Sequence, residues 1–279
     1  MKLGITFGQL NPRYWDDVAI AADELGFESA WLPEHLVFPT EIRGQLVPGE
    51  EHPPVPPTTP VFDACAYLSY VAGRTERLRL GTFVYLLGIR HPFISARAFA
   101  TLDVVSGGRA EVGVGAGWLL TEWEAVGLDP RTRGRRLDEA VEVCRRLWTE
   151  ELVEHHGEFF DFDEVAFEPK PVQKPHPPLL VGGESAAALR RAAAYGDGWI
   201  GMFHTPDSVS ERIEELRRLR DEVGRGDLPF TVSCMGPLHS DGDLAGWEQA
   251  GVDRVIVVPW TRGREAVSSM SDFAGRFLG

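Results

Sequence analysis

Short apolar runs and longer amphipathic runs alternate from one end of the chain to the other, and this alternation limits the fold more than any single motif. Met1–Phe7 reads as a strand and Arg13–Leu25 as a helix that stops at Gly26. The pattern repeats with Ser29–Leu32 and Val61–Ala72, Leu78–Val84 and Pro92–Val105, and Ala110–Val114 and Arg131–Trp148. It continues through Leu179–Val181 and Ala186–Tyr195, Gly198–Gly201 and Ser208–Val223, and Phe230–Met235 and Leu244–Ala250. Arg254–Val258 and Glu265–Arg276 close the series. Eight strand–helix pairs in 279 residues match the arithmetic of an α/β fold of the (β/α)8 TIM-barrel type, read as one domain over 1–279. A doubly wound open sheet uses the same units and is the rival topology. In a barrel, chemistry belongs where each strand ends and its following loop begins.

Two connections are longer than plain loops. Val37–Pro60 follows the second strand and is rich in Pro and Gly. Gly157–Pro178 lies between the fourth and fifth strands, and its aromatic residues suggest a small hairpin. Insertions at that end of a barrel serve as lids or binding loops, or else as Pro-rich surface loops.

Charge narrows the partners. The formal net charge is −14, which disfavours nucleic acid and anionic membrane surfaces. No apolar run reaches the length of a transmembrane helix, and the N-terminus begins as a strand without a signal peptide's pattern. Cys65, Cys144 and Cys234 show no metal-binding spacing and read as reduced core thiols of a cytoplasmic protein.

The strand ends carry the chemistry-bearing residues. Glu34 and His35 stand together after the second strand, where an imidazole can exchange protons beside a carboxylate. Gly113, Gly115 and Gly117 follow a GxGxG spacing, which is not the GxGxxG of a dinucleotide fold. Glycines at a barrel strand's end do let a flat ligand approach the backbone. After the fifth strand come Gly182, Gly183, Glu184 and Ser185, opening an alanine-rich helix. That helix start is either a phosphate site or a structural cap made by Ser185. Beside a phosphate, Glu184 must turn its carboxylate away. A metal reading, with Glu34, His35, His204 and His239 around one divalent ion, is a further alternative. His155–His156 and Glu50–Glu51–His52 read as solvated loop runs.

The stretches Arg97–Leu128, Arg90–Pro92 and Pro169–Trp199 resemble the luciferase-like monooxygenase superfamily, and within it the coenzyme F420-dependent oxidoreductases. The likeness covers nearly the whole chain, with the motifs in family order. It implies a (β/α)8 barrel, a homodimer, and a flavin or deazaflavin lying across the strands' C-terminal ends. Gly182, Gly183 and Ser185 match the phosphate-binding segment. Phe83–Val84 matches a non-proline cis peptide that backs the ring, and Ala116, Gly117 and Trp118 match a segment beside it. Glu34 matches an acidic residue that contacts the deazaflavin, and His35 one that acts near the transferred hydride. The sugar-phosphate dehydrogenase branch carries a catalytic Glu where this chain has Trp118, which argues against that activity. The implied reaction is hydride transfer between F420 and a small organic substrate, with His35 as the acid/base. FMN with O2 is the alternative within the same fold. Arg43, Arg90 and Arg133 are candidates for F420's polyglutamate tail, and Trp118, Phe83 and Trp260 point to an apolar or aromatic substrate.

Overall fold

A computed structural model of the chain describes residues 1–8, 10–46, 49 and 55–279. The Glu50–Glu51–His52 run lies outside the described residues, as does part of the first insertion. Among the described residues, eight parallel strands close into a barrel: β1 (Lys2–Thr6), β2 (Ser29–Leu32), β3 (Arg79–Thr82), β4 (Ala110–Val114), β7 (Leu179–Gly182), β8 (Gly198–Gly201), β9 (Thr231–Met235) and β10 (Arg254–Val257). β1 pairs with both β2 and β10, so no edge is left open. The remaining two strands, β5 (Leu152–His156) and β6 (Asp161–Ala166), form an antiparallel hairpin. Helices α1 (Trp15–Leu25), α2 (Ala64–Ala72), α3 (Pro92–Val105), α4 (Leu120–Ala125), α5 (Arg133–Thr149), α6 (Ala186–Tyr195), α7 (Pro206–Glu222), α8 (Asp241–Ala250) and α9 (Ala266–Phe277) complete the fold.

The barrel strands are apolar on both faces because both are covered. Ala30, Leu32, Leu179, Val181, Val255 and Val257 belong to the large core shared with the helices. The residues between them, Trp31, Leu180 and Ile256, join Ile200 in a separate cluster inside the barrel, capped by Phe83, Val84 and Met235. This is the two-residue period of a strand read from its two sides.

The helix starts follow from their caps. Asp63 caps α2 through Ala66 N–H, so the helix begins three residues later than apolar periodicity predicts. Thr205 and Ser240 each form a capping box, drawing α7 and α8 back to Pro206 and Asp241. α4 was not legible as a separate helix. The expected hairpin begins earlier, at Leu152 rather than Gly157. The two histidines therefore lie in β5, not in a solvated loop: His155 is buried against Glu139 (3.1 Å) and His156 pairs with Asp161.

At the barrel's N-terminal end, Arg254 is 2% exposed yet charged. Its guanidinium meets Glu111 on β4 (2.8 and 2.9 Å), Glu28 (2.8 Å twice) and Ser233 Oγ (3.1 Å). Arg79 adds a third bond to Glu111. β10 and β4 stand opposite each other in the strand order, so the Arg254–Glu111 pair spans the barrel. Burial disfavours the charged form of both Arg254 and Glu28. The facing carboxylates outweigh it for Arg254, whose proton is held more tightly than usual. Arg254 likewise pulls the Glu28 carboxyl below its ordinary range.

Arg254→Ala strands two carboxylates at this end of the barrel and should cost about 3–5 kcal/mol, read as a lower urea midpoint. An unchanged midpoint would remove the pair from the stability argument. The folded Glu28 carboxyl lies below its ordinary value of 4.5. Its contribution is therefore full above that pH and is lost as pH falls through the folded value. Glu28→Gln should flatten the acid limb of stability against pH.

Candidate active site

The C-terminal ends of the strands form the barrel mouth, and β2 delivers Glu34 and His35 to it. The two neighbours part company there. Glu34 is 4% exposed, and its carboxylate accepts from Leu86 N–H (2.9 Å) and forms a two-pronged ion pair with Arg90. Arg90 also lies over the Tyr85 ring, 4.4 Å from its centre. Burial alone would weaken the Arg90 guanidinium's hold on its proton, but Glu34 more than offsets it. The carboxylate that stands beside His35 in sequence thus fixes the segment after β3.

His35 takes a different partner. Its Nδ1 lies 2.8 Å from Glu122 Oε2, contributed by α4. The other Glu122 oxygen accepts the backbone N–H of Leu36 (2.6 Å) and Val37 (3.3 Å), and Glu122 is 1% exposed. A carboxylate only accepts, so Nδ1 must carry the proton. The neutral ring then has its lone pair on Nε2. Phe38 packs on the ring at 4.4 Å and Trp118 meets it edge-on at 5.8 Å. Nothing in the sequence distinguishes Glu122 from Glu124, and α4 brings the former inward.

The first insertion is stitched over this pair. Leu120 N–H donates to Arg43 C=O (2.7 Å), and Thr121 Oγ1 to Glu41 C=O (2.8 Å). Gly44 presses against the Trp118 carbonyl so closely that a Cβ would lie 1.8 Å from it.

Where β3, β4 and β7 end, one side chain takes the room that two glycines leave. The Phe83–Val84 peptide is cis, as the resemblance implies. Val84 then sits between two strand ends. A Cβ on Gly115 would lie 2.5 Å from one Val84 methyl, and a Cβ on Gly182 2.6 Å from the other. Only glycine permits that approach. Ala116 and Gly117 lead on to Trp118, with Gly117 at φ +78° and packed against Leu86 and Trp123.

Across the mouth, β7 runs through Gly182 and Gly183 into α6. Ser185 caps the helix by accepting from Ala188 N–H (3.2 Å). Glu184 accepts from Met202 N–H (2.8 Å) and pairs with His204 Nε2 (3.0 Å). Its carboxylate is therefore engaged with the β8 side, and the free N–H groups of the first helical turn keep their positive end of the dipole. These features fit a phosphate on a flat ligand.

The divalent-ion alternative does not assemble. Glu34, His35 and His204 are parcelled out to Arg90, Glu122 and Glu184. Among the described residues no group of three or more His, Cys, Asp or Glu could hold a metal ion. The arginines considered for an acidic tail each have a partner within the chain: Arg90 with Glu34, Arg43 with Glu124 and Glu41, and Arg133 with the Pro130 carbonyl. Cys65, Cys144 and Cys234 are buried free thiols. No helix among the described residues is long and apolar enough to cross a membrane.

Comparison with known proteins agrees with the fold and gives the family. The family model for luciferase-like monooxygenases matches residues 4–265. An uncharacterized Mycobacterium tuberculosis protein is 32% identical over 262 residues, covering 90% of this chain and 87% of its own. An F420-dependent glucose-6-phosphate dehydrogenase of Segniliparus rotundus is 30% identical over 255 residues, covering 90% and 65%. Among solved structures, an F420-dependent secondary alcohol dehydrogenase in complex with an F420–acetone adduct shares the fold, with a TM-score of 0.78 at 18% identity over 99% of both chains.

The His35–Glu122 contact sets the imidazole tautomer. In Glu122→Gln, an amide NH2 facing Nδ1 would move the ring proton to Nε2. Nitrogen-15 NMR of the His35 ring should report Nδ1–H in the parent chain and Nε2–H in the variant. The same tautomer in both would mean that Glu122 does not orient the ring.

Proposed function

Because the chain belongs to the luciferase-like monooxygenase family and is an oxidoreductase, we propose that it transfers hydride between coenzyme F420 and a small organic substrate. The observation that carries this reading is His35, held by Glu122 and edge-on to Trp118 at the barrel mouth. Bound F420 supplies a flat ring that gives or takes hydride at one carbon. The protein's part is positioning, exclusion of water and management of one proton. Gly115 and Gly182 let Val84 pack between the ends of β4 and β7, and the planar ring would lie against the Val84 side chain. Gly183, Ser185 and the start of α6 offer N–H donors to the cofactor's phosphate. His35 Nε2 removes the substrate's hydroxyl proton when hydride leaves, or returns it when hydride arrives. Glu122 steadies the imidazolium in either direction, and the insertion over Trp118 keeps water from the exchange.

By the family resemblance Trp118 matches the position of a catalytic Glu in sugar-phosphate dehydrogenases, so the substrate we propose is not a sugar phosphate. The reading also carries a homodimer, with the exposed Tyr70 of α2 and Ile94 of α3 as the contact face.

Parallel titration with F420 and FMN, followed by cofactor fluorescence, tests the assignment. Micromolar F420 binding with negligible FMN binding is expected. Tight FMN binding instead would move the reading to oxygen-using chemistry, and binding of neither would reduce the glycine motif to a helix cap. His35→Asn should leave the F420 Kd unchanged and lower turnover of substrates found by screening by about 10²–10⁴-fold. Full turnover in that variant would remove His35 from the mechanism.

A further inference from the structure

On the β1–β10 side of the mouth, next to β2, lies an open cavity that the hydride site does not use. It has a volume of about 480 Å³ and is lined by the segments that follow β1 and β10, chiefly Asn11, Arg13, Tyr14, Trp260, Arg262 and Arg264. Gly263 brings the two segments together, since a Cβ there would lie 2.8 Å from the Tyr14 ring. The charge of this cavity is opposite to that of the whole chain. The protein carries −14, yet the described lining holds three arginines and no acidic side chain. Glu265, just outside, serves both Arg262 (3.5 Å) and Arg264 (3.3 Å). Arg13 lies 4.5 Å over the Tyr14 ring and donates to its hydroxyl. Asn11 Oδ1 accepts Arg13 N–H (3.1 Å), which leaves the amide NH2 to donate. Trp260, 8% exposed, adds a flat apolar wall.

We propose that this cavity is the recognition subsite for an oxyanion, a carboxylate or a phosphate ester, carried on an aromatic substrate. Guanidinium forks match both groups, and the aromatic lining suits the ring that carries them. The proposal rests on the hydride-transfer reading and names its substrate class. Position in the barrel assigns the cavity to substrate rather than cofactor. β1 stands directly across the barrel from β7, whose end offers the phosphate site. The acidic tail of F420 lies beyond its phosphate, on the side away from the ring. The β1–β10 side is left for substrate, and His35 follows β2, the strand next to β1.

The test uses benzoate, phenyl phosphate and neutral benzamide as probes, with dissociation constants from ligand-observed NMR. The variant is Arg13→Gln/Arg262→Gln/Arg264→Gln, whose three side chains are exposed in the folded chain. One anionic probe should bind, weaken with salt, and lose roughly tenfold or more in affinity in the triple variant. Which probe binds better separates carboxylate from phosphate. Equal binding of benzamide, or anion binding unaffected by the variant, would overturn the subsite. The F420 Kd is measured on both proteins. A Kd raised in the variant would give the cavity to the cofactor's tail and overturn the substrate assignment. Anion binding that depends on the arginines in a chain that binds no F420 would sustain the subsite while the hydride-transfer reading failed.

Discussion

A charge pair buried across the barrel sets the frame for everything at the other end. Arg254 reaches from β10 to Glu111 on the opposite strand β4, with Glu28 and Arg79 completing the network. Charges so placed hold only as a matched set, since either partner alone would face a low-dielectric interior. Above this layer the interior turns apolar, with Trp31, Leu180, Ile200 and Ile256 in contact. The strands are thereby fixed in register before they reach the mouth, and the functional groups sit on rigid ends.

The alternation of strand and helix was legible because both faces of each strand are covered, which leaves an unbroken apolar run. Barrel closure was legible only as arithmetic, since the pairing of β1 with β10 joins residues at the two ends of the chain. Element boundaries were misread where caps decide them, as at Asp63, Thr205 and Ser240. The hairpin was displaced because β5 alternates strictly in burial but exposes Leu152 and buries His155, so its residue types hide the strand pattern.

At the site, sequence proximity misled in one instructive case. Glu34 adjoins His35, and the natural expectation couples them. Successive residues leaving a strand diverge, however, and Glu34 turns to Arg90 while Glu122, distant in sequence, supplies the carboxylate that His35 meets. Glu184 posed the converse problem. Its charge beside a helix start looked unfavourable for an anion until Met202 and His204 accounted for both oxygens. The basic cavity had no signature at all, because Arg13 lies near one end of the chain and Arg262 and Arg264 near the other.

Two of the described ties of the insertion after β2 run through main-chain carbonyls, Arg43 C=O to Leu120 N–H and Glu41 C=O to the Thr121 hydroxyl. Substitution at positions 41 and 43 leaves those acceptors in place. At these two positions the chain's path and its side chains are separately variable, whereas Gly44 admits no side chain against the Trp118 carbonyl. Drift in selectivity can therefore run through positions 41 and 43 while position 44 holds the seam.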